Sequence, residues 1–239
     1  MLTVKVFLIV GGATGLGRAT AELCAVAGAS VVIADMNAQA GAPLATALGA
    51  LFGPVDVTDA ASVQALMAAI AARHGRLNAL IQAAGILQGA YTPVEEFPLE
   101  TWQAVLDVNL TGSFLCARYA TPLLQAAGGG VIVLISSLAA VNGSSSVAYG
   151  ASKGGVNGLG ITLARKLAPA GIRVNVVMPG NIDTELKRSV IAVEAAQSGQ
   201  ALTDAVAASA LGAPEGVAKV LAWLVSDDAD YVRGMISTR

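Results

Sequence analysis

The sequence has few of the side chains that metal and imidazole chemistry require. Its 239 residues include one histidine and two cysteines, too few for a metal site of several ligands or a disulfide framework. His74 precedes Gly75 at an expected helix end, where a solvated imidazole is a simpler interpretation than a catalytic base. We therefore expect no bound metal and a reducing, cytoplasmic location.

Charged residues are also scarce, at 13% of the chain, and the formal net charge is −2. Such a chain offers no basic surface for nucleic acid. Hydrophobic residues make up 55% of the chain, which excludes a disordered protein. The long uncharged stretch 36–55 is interrupted by Pro43 and several glycines and so does not resemble a membrane span. No run reaches the roughly 18–20 apolar residues of a membrane span, and no signal peptide is apparent. We expect neither a nucleic acid nor a membrane partner.

Short β-branched runs alternate with longer alanine-rich stretches along the whole chain. Strands are expected at 4–10, 31–34, 51–55, 78–82, 131–136 and 172–177, and helices at 16–27, 38–48, 59–73, 99–109, 110–127, 148–168 and 214–225. The strands are nearly continuous apolar runs, as in parallel strands that are covered on both faces. This pattern predicts an α/β fold: one Rossmann-like domain over 1–239, with a doubly wound parallel sheet and helices on both faces. The segment 181–212 lacks a clean period and follows a strand's carboxyl end, so we expect a substrate lid there.

A glycine-rich turn, G-x-x-x-G-x-G, connects the first strand and the first helix. Its glycines are Gly11, Gly15 and Gly17. Glycines allow a tight turn and a close approach of backbone N–H groups to a pyrophosphate at the helix N-terminus. A tight strand–helix junction without a ligand is the alternative, but the position of the turn favours dinucleotide binding.

Asp35 closes the second strand, at about the distance from the turn where an acidic residue would accept hydrogen bonds from the adenosine ribose. Its carboxylate would repel a 2′-phosphate, and the next residue is Met36 rather than a cation, although Arg18 is near in sequence. We therefore expect NAD(H) rather than NADP(H); a strand-capping role for Asp35 is the alternative. Asp56 is a candidate contact of the adenine amino group or a turn-forming residue.

Tyr149 and Lys153 stand four residues apart on an expected helix, which places them on one face. A lysine ammonium nearby lowers the pKa of a tyrosine and lets it exchange a proton with an alcohol or a carbonyl oxygen. Ser136 and Ser137 end the preceding strand at the ligand-binding edge, and a serine hydroxyl there could bind the substrate oxygen.

With these residues the chain resembles the short-chain dehydrogenase/reductase family over essentially its whole length. The matching features are the 11–17 turn, Asp56, Ala84-Gly85, Asn109, Ser136-Ser137, the segment 149–153, Asn175, Pro179-Gly180, Ile182 and Thr184. The resemblance implies a catalytic tetrad of Asn109, Ser137, Tyr149 and Lys153. Tyr149 would be the acid/base, Ser137 would hold the substrate oxygen, Lys153 would bind the nicotinamide ribose, and Asn109 would interrupt its helix and hold a relay water.

The resemblance also implies a set of cofactor contacts spread along the chain. These are Gly11, Thr14, Gly15, Leu16, Gly17, Asp35, Met36, Asp56, Val57, Ala84, Gly85, Tyr149, Lys153, Pro179, Gly180, Ile182 and Thr184.

The sequence departs from the family pattern at several positions. Val10 replaces the usual threonine before the turn, and Gln82-Ala83 replaces a pair of asparagines. The end of the chain lacks the usual final motif, so we expect a shortened or altered last strand. The family's usual spacing to Tyr149 favours Ser136 as the substrate-binding serine, whereas alignment of the strand favours Ser137. We select Ser137, because a one-residue slip in a strand would turn every side chain to the opposite face, whereas a loop can lose a residue more easily.

The expected substrate pocket is small and mostly apolar. It would be lined by Ser137, Ile86, Leu87, Leu138, Ala139 and Asn181, with Lys187 and Arg188 as lid cations that are either solvated or directed at an anion. We expect hydride transfer between NAD(H) and a secondary alcohol or ketone. The alternatives are a 3-oxoacyl thioester reductase of the same family, a non-catalytic NAD-sensing protein and a methyltransferase. The resemblance further implies a homodimer or homotetramer.

Overall fold

The computed structural model describes residues 2 and 4–238, and in this part of the chain seven parallel strands form one sheet. The order across the sheet is β3-β2-β1-β4-β5-β6-β7. The strands are β1 (Val6–Val10), β2 (Ser30–Asp35), β3 (Leu51–Pro54), β4 (Ala79–Gln82), β5 (Gly130–Ile135), β6 (Ile172–Met178) and β7 (Gly234–Ser237). The order reverses between β1 and β4, which opens a crevice at the carboxyl ends of these strands.

Ten α-helices connect or follow the strands in the described part of the chain. They are α1 (Gly15–Val26), α2 (Ala38–Leu48), α3 (Ala60–His74), α4 (Leu99–Leu106), α5 (Gly112–Ala126), α6 (Ala139–Asn142), α7 (Val147–Leu167), α8 (Glu185–Ser198), α9 (Leu202–Ala208) and α10 (Pro214–Leu224). A π-helical turn, Asp107–Thr111, joins α4 to α5. No helix in the described residues is long and apolar enough to cross a membrane.

Side chains of the sheet alternate between two apolar layers. Leu8, Leu80 and Ile132 point to the layer that also holds residues of α3, α5 and α7. Their neighbours Phe7, Ile81 and Val133 point to the layer that holds residues of α1 and α10. Burial on both faces explains why the strands lack polar alternation, and the prediction of a doubly wound α/β sheet is confirmed.

Polar caps set the ends of the helices that matter for the site. The Ser146 hydroxyl accepts a hydrogen bond from the Tyr149 amide at 3.2 Å and so starts α7. The Thr184 hydroxyl accepts one from the Lys187 amide at 3.2 Å and starts α8. Such caps satisfy amides that have no partner within the helix. The start positions of the helices that carry Tyr149 and Lys187 therefore follow from local sequence.

Two details differ from the sequence-based expectations. The first strand begins at Val6 rather than Val4, because Val4 has a φ of 70° and lies in a turn. The segment 181–212 is largely helical, since the apolar side chains of Ile191 and Ala195 pack with those of α9. The last strand is short, as expected, and β7 pairs in parallel with β6.

Candidate active site

One cavity of about 800 Å³ runs along the carboxyl ends of the strands. It passes Val10 of β1, Asp35 of β2, Ile135 of β5 and Pro179 after β6. The sequence-predicted site residues line this cavity with two exceptions: Asn109 is fully buried behind it, and the lid cation Arg188 lies outside it. The structure thus brings together residues that are up to 176 positions apart, from Gly11 to Lys187.

The glycine turn packs so closely that side chains are excluded from two of its positions. Gly11 has a φ of +74°, and a Cβ there would lie 2.4 Å from the Ala84 backbone nitrogen. A Cβ on Gly17 would lie 2.0 Å from the Gly11 carbonyl oxygen. The turn is therefore pressed against the chain after β4, and only glycine permits this path.

Asp35 is held in place at the end of β2 by two backbone amides. Its carboxylate accepts hydrogen bonds from the Ala13 amide at 3.0 Å and the Asn37 amide at 2.9 Å. Met36 beside it is 79% exposed and brings no charge to this end of the cavity. A negative charge thus lies next to the glycine turn.

Asp56 serves a local turn as well as lining the cavity. One of its carboxylate oxygens accepts hydrogen bonds from the Thr58 amide at 2.9 Å and the Thr58 hydroxyl at 2.7 Å. The turn-forming interpretation is therefore confirmed, while a contact with adenine stays a prediction.

The two candidate serines have different surroundings. The Ser136 hydroxyl is buried and donates a 2.9 Å hydrogen bond to the Lys153 backbone carbonyl. The Ser137 hydroxyl accepts from the Ala139 amide at 3.1 Å and lies beside the Tyr149 side chain. Burial raises the pKa of Tyr149, and the neighbouring Ser137 hydroxyl acts in the opposite direction. Ser137 is thus the serine adjacent to the phenol.

Lys153 lies beneath Tyr149 on the same face of α7. Its Nζ donates a 2.8 Å hydrogen bond to the Ile135 carbonyl oxygen and lies 5.6 Å from the centroid of the Tyr149 ring. Burial lowers the pKa of Lys153 to about 8. The pKa of Tyr149 is raised rather than lowered, because desolvation of the phenol outweighs the effect of the Ser137 hydroxyl. A lowering of this pKa by Lys153 stays a prediction.

Asn109 lies in the π-helical turn between α4 and α5. Its carboxamide accepts a 2.8 Å hydrogen bond from the Ile86 amide and donates 2.9 Å and 3.0 Å bonds to the Ile86 carbonyl and the Ser152 hydroxyl. These bonds tie the chain after β4 to α7. The interrupted helix expected at Asn109 is present, and its role in holding a relay water stays a prediction.

The residues of the cavity fit a dinucleotide. A tight glycine turn at a helix N-terminus presents backbone N–H groups to a pyrophosphate, with an oriented carboxylate at one end and a tyrosine–lysine pair at the other. Gly85 leaves room beside the tyrosine–lysine pair, since a Cβ at this position would lie 3.2 Å from both Asn109 Oδ1 and Lys153 Nζ.

Sequence reasoning missed several parts of the cavity wall. On the substrate side these are Asn142, which ends α6, and Ser144 and Ser145 of the loop before α7. Their only sequence signal is that they lie shortly before Tyr149, because this segment has no pattern that indicates which side chains turn inward.

Comparisons with known proteins agree with this site. A family model described as enoyl-(acyl carrier protein) reductase matches residues 11–238. The chain is 40% identical over 239 residues to cis-4-hydroxycyclohexanecarboxylate dehydrogenase of Sinomonas cyclohexanicum, covering 97% of this chain and 93% of that protein. The chain belongs to the short-chain dehydrogenase/reductase family. This membership makes it an oxidoreductase and sets aside the methyltransferase alternative.

Two further members of the short-chain dehydrogenase/reductase family are similar over nearly the whole chain. Cyclohexanol dehydrogenase of Acinetobacter sp. (strain SE19) is 38% identical over 236 residues, which cover 96% of this chain and 91% of that protein. The crystal structure of levodione reductase superposes with a TM-score of 0.92 at 30% identity, covering 99% of this chain and 96% of that one.

Proposed function

We propose that this protein is an NAD-dependent dehydrogenase of cyclic secondary alcohols and their ketones, with Tyr149 as the acid/base. The observation that carries the proposal is the group formed by Ser137, Tyr149 and Lys153 at one end of the dinucleotide-sized cavity. The substrates of the relatives, cyclohexanol and a hydroxycyclohexanecarboxylate, support the choice of a ring alcohol.

The roles of these side chains follow from their surroundings. Nicotinamide dinucleotide, when bound, supplies a hydride acceptor or donor. The Ser137 hydroxyl holds the substrate oxygen, and the Tyr149 phenol exchanges a proton with that oxygen. Burial disfavours the phenolate, so a positive charge near it matters more than it would in water. Lys153, whose pKa is about 8, is mostly an ammonium at neutral pH and provides that charge.

Asp35 supports NAD(H) as the cofactor. Two backbone amides orient its carboxylate. In this orientation the carboxylate is suited to accept hydrogen bonds from the ribose hydroxyls, and its negative charge would repel a 2′-phosphate. Met36 supplies no compensating cation. The nicotinamide end would lie against Pro179, Gly180, Ile182 and Thr184, which line the same cavity.

The decisive experiment follows the absorbance of NADH during turnover of cyclohexanol, cyclohexanone and a wider set of cyclic alcohols. We expect Tyr149→Phe to lose about 10²- to 10⁴-fold in kcat while binding NADH as the wild type does. Tyr231→Phe, which removes the same hydroxyl from a fully exposed side chain, is the matched control.

Other outcomes would favour the alternatives. Equal activity of wild type and Tyr149→Phe would contradict the assigned role of Tyr149. Cofactor binding without turnover of any alcohol or ketone would favour a sensing protein, and turnover of 3-oxoacyl thioesters alone would favour a thioester reductase.

A further inference from the structure

Lys187 is a cation on the wall of the cavity that the proposed reaction does not use. Five charged residues line this cavity. Asp35 and Asp56 lie at the adenosine end, and Lys153 lies beneath Tyr149. Glu185 and Lys187 belong to the first turn of α8, and Glu185 is exposed. No ion pair joins Glu185 to Lys187 within the described residues, as expected for residues two apart on a helix.

Lys187 lies on the inward face of α8. It precedes Ile191, which is 2% exposed, by one helical turn, and its own side chain is half-buried. Within the described residues Lys187 forms no ion pair, whereas the next residue, Arg188, is paired with Asp183 outside the cavity. Glu194, two turns further along, accepts a hydrogen bond from the Tyr91 hydroxyl. The two lid cations therefore differ, and Lys187 is the one that lines the cavity.

Ser145 adds a second polar group with no partner on the substrate side. Its hydroxyl oxygen is buried and makes no hydrogen bond within the described part of the chain. It lines the same cavity and lies four residues before Tyr149, immediately before the residue that caps α7. A buried hydroxyl without a partner is costly, and a ligand oxygen placed there would remove that cost.

We propose that the substrate carries a carboxylate, which binds the Lys187 ammonium and accepts a hydrogen bond from the Ser145 hydroxyl while the alcohol carbon lies at Tyr149. This inference rests on the proposed function and narrows it to hydroxy acids with a ring or a compact carbon chain. A half-buried ammonium binds an anion more strongly than an exposed one, because water competes and screens less. The same cavity is also lined by the apolar residues Ile86, Leu87, Leu138 and Ala139, which suit the hydrocarbon part.

The test compares a charged and an uncharged substrate in the full-length protein. kcat/KM is measured with cis-4-hydroxycyclohexanecarboxylate and with cyclohexanol for wild type, Lys187→Met, Ser145→Ala and the control Lys219→Met, an exposed lysine on α10. We expect Lys187→Met to lose about 10- to 100-fold with the carboxylate and less than 3-fold with cyclohexanol. Ser145→Ala should lose about 3- to 10-fold with the carboxylate alone, and Lys219→Met should match wild type.

A binding measurement separates failure of this inference from failure of the proposed function. Calorimetric titration of the NADH complex with cyclohexanecarboxylate should give a Kd that is raised at least about 10-fold in Lys187→Met. Equal losses with both substrates, together with a raised KM for the cofactor, would assign Lys187 to the cofactor diphosphate and overturn the inference. The inference would also be overturned if the wild type turns over cyclohexanol, shows no preference for the carboxylate substrate and does not bind cyclohexanecarboxylate. That result would leave the proposed function intact. Turnover of neither substrate would count against both.

Discussion

The Ser136 hydroxyl and the Lys153 backbone carbonyl are joined by a 2.9 Å hydrogen bond. In return, the Lys153 ammonium donates to the carbonyl of Ile135, next to Ser136, at 2.8 Å. The first bond is donated from the end of β5 to α7, and the second is donated from α7 back to β5. Ser136 therefore holds α7 against β5, and we expect it to position Lys153 while Ser137 meets the substrate.

The two serines should respond differently to removal of the hydroxyl. Ser137→Ala should reduce kcat/KM about 100-fold with only a small fall in the melting temperature, because its hydroxyl lies beside the phenol and accepts one hydrogen bond, from the Ala139 amide. Ser136→Ala should lower the free energy of unfolding by about 1–2 kcal/mol, because it leaves the Lys153 carbonyl without its partner. Steady-state kinetics and thermal unfolding of both variants check this, and the reverse pattern would assign the substrate to Ser136.

We expect the buried Lys153 ammonium to lower the free energy of unfolding of the protein, although the proposed reaction needs its charge. Its pKa is about 8 in the folded protein against an ordinary 10.5, so the unfolded chain binds the proton more tightly. The resulting penalty of about 3 kcal/mol is complete below pH 8 and disappears as the pH rises from 8 to 10.5. Lys153→Met should therefore abolish activity but raise the free energy of unfolding by about 1–2 kcal/mol at pH 7, after the lost bond to Ile135 is counted.

The pH dependence supplies the control for this prediction. The difference in stability between Lys153→Met and wild type should shrink between pH 8 and pH 10, as measured by denaturant unfolding. A variant that is less stable than wild type by the same amount at both pH values would show that Lys153 is not buried as an ammonium.

Cofactor preference should depend on Asp35. Wild type should prefer NADH to NADPH by at least about 100-fold in kcat/KM, and Asp35→Ser combined with Met36→Arg should reverse the order, because the repulsive carboxylate is replaced by a cation. A strong preference of the wild type for NADPH would contradict the proposed cofactor. Asp35→Ser alone should also weaken the glycine turn, since the Ala13 amide loses its acceptor.

Gly85 should be intolerant of even one methyl group. A Cβ at this position would lie 3.2 Å from Asn109 Oδ1 and Lys153 Nζ, and Asn109 is held by its bonds to Ile86. We expect Gly85→Ala to reduce kcat/KM at least about 10-fold through displacement of Lys153. Gly154→Ala is the matched control, because a Cβ there meets nothing within 4 Å and alanine favours the helix by about 1 kcal/mol. Equal activities of the two variants would refute the steric argument.

A hydrogen bond from Tyr91 to Glu194 should help to keep α8 over the cavity. The Tyr91 hydroxyl donates to Glu194 Oε2 at 2.8 Å, and this contact joins the chain after β4 to the proposed lid. Both partners are exposed, so Tyr91→Phe should raise the KM for the alcohol only about 2- to 5-fold and leave kcat nearly unchanged. Tyr231→Phe should change neither constant, and a large fall in kcat for Tyr91→Phe would indicate a direct part in the reaction.

Association of subunits stays a prediction of the family resemblance. Phe114 on α5 is 42% exposed and Ile161 on α7 is 54% exposed, which leaves apolar side chains on both helices available to a second copy. Light scattering of the purified protein determines the number of subunits.

The amino-acid sequence by itself determined the sheet, most helix positions and the residues around the cavity. Short continuous apolar runs are typical of parallel strands that are covered on both faces, and the spacing of Gly11, Gly15 and Gly17 is typical of a dinucleotide-binding turn. The spacing of Tyr149 and Lys153 was equally informative, because residues four positions apart on a helix lie on the same face. Local rules of this kind need no knowledge of distant neighbours.

Only the tertiary structure decided what depends on groups that are remote in the chain. The different surroundings of the two serines, Ser136 on the α7 backbone and Ser137 beside the Tyr149 phenol, rest on contacts remote in the chain, and the raised pKa of Tyr149 rests on how deeply the phenol is buried. The helical form of 181–212 depends on packing between α8 and α9, and the separation of Lys187 from Arg188 depends on which side of α8 faces the cavity. Desolvation and side-chain direction arise from the whole packed environment, so sequence spacing alone could not supply them.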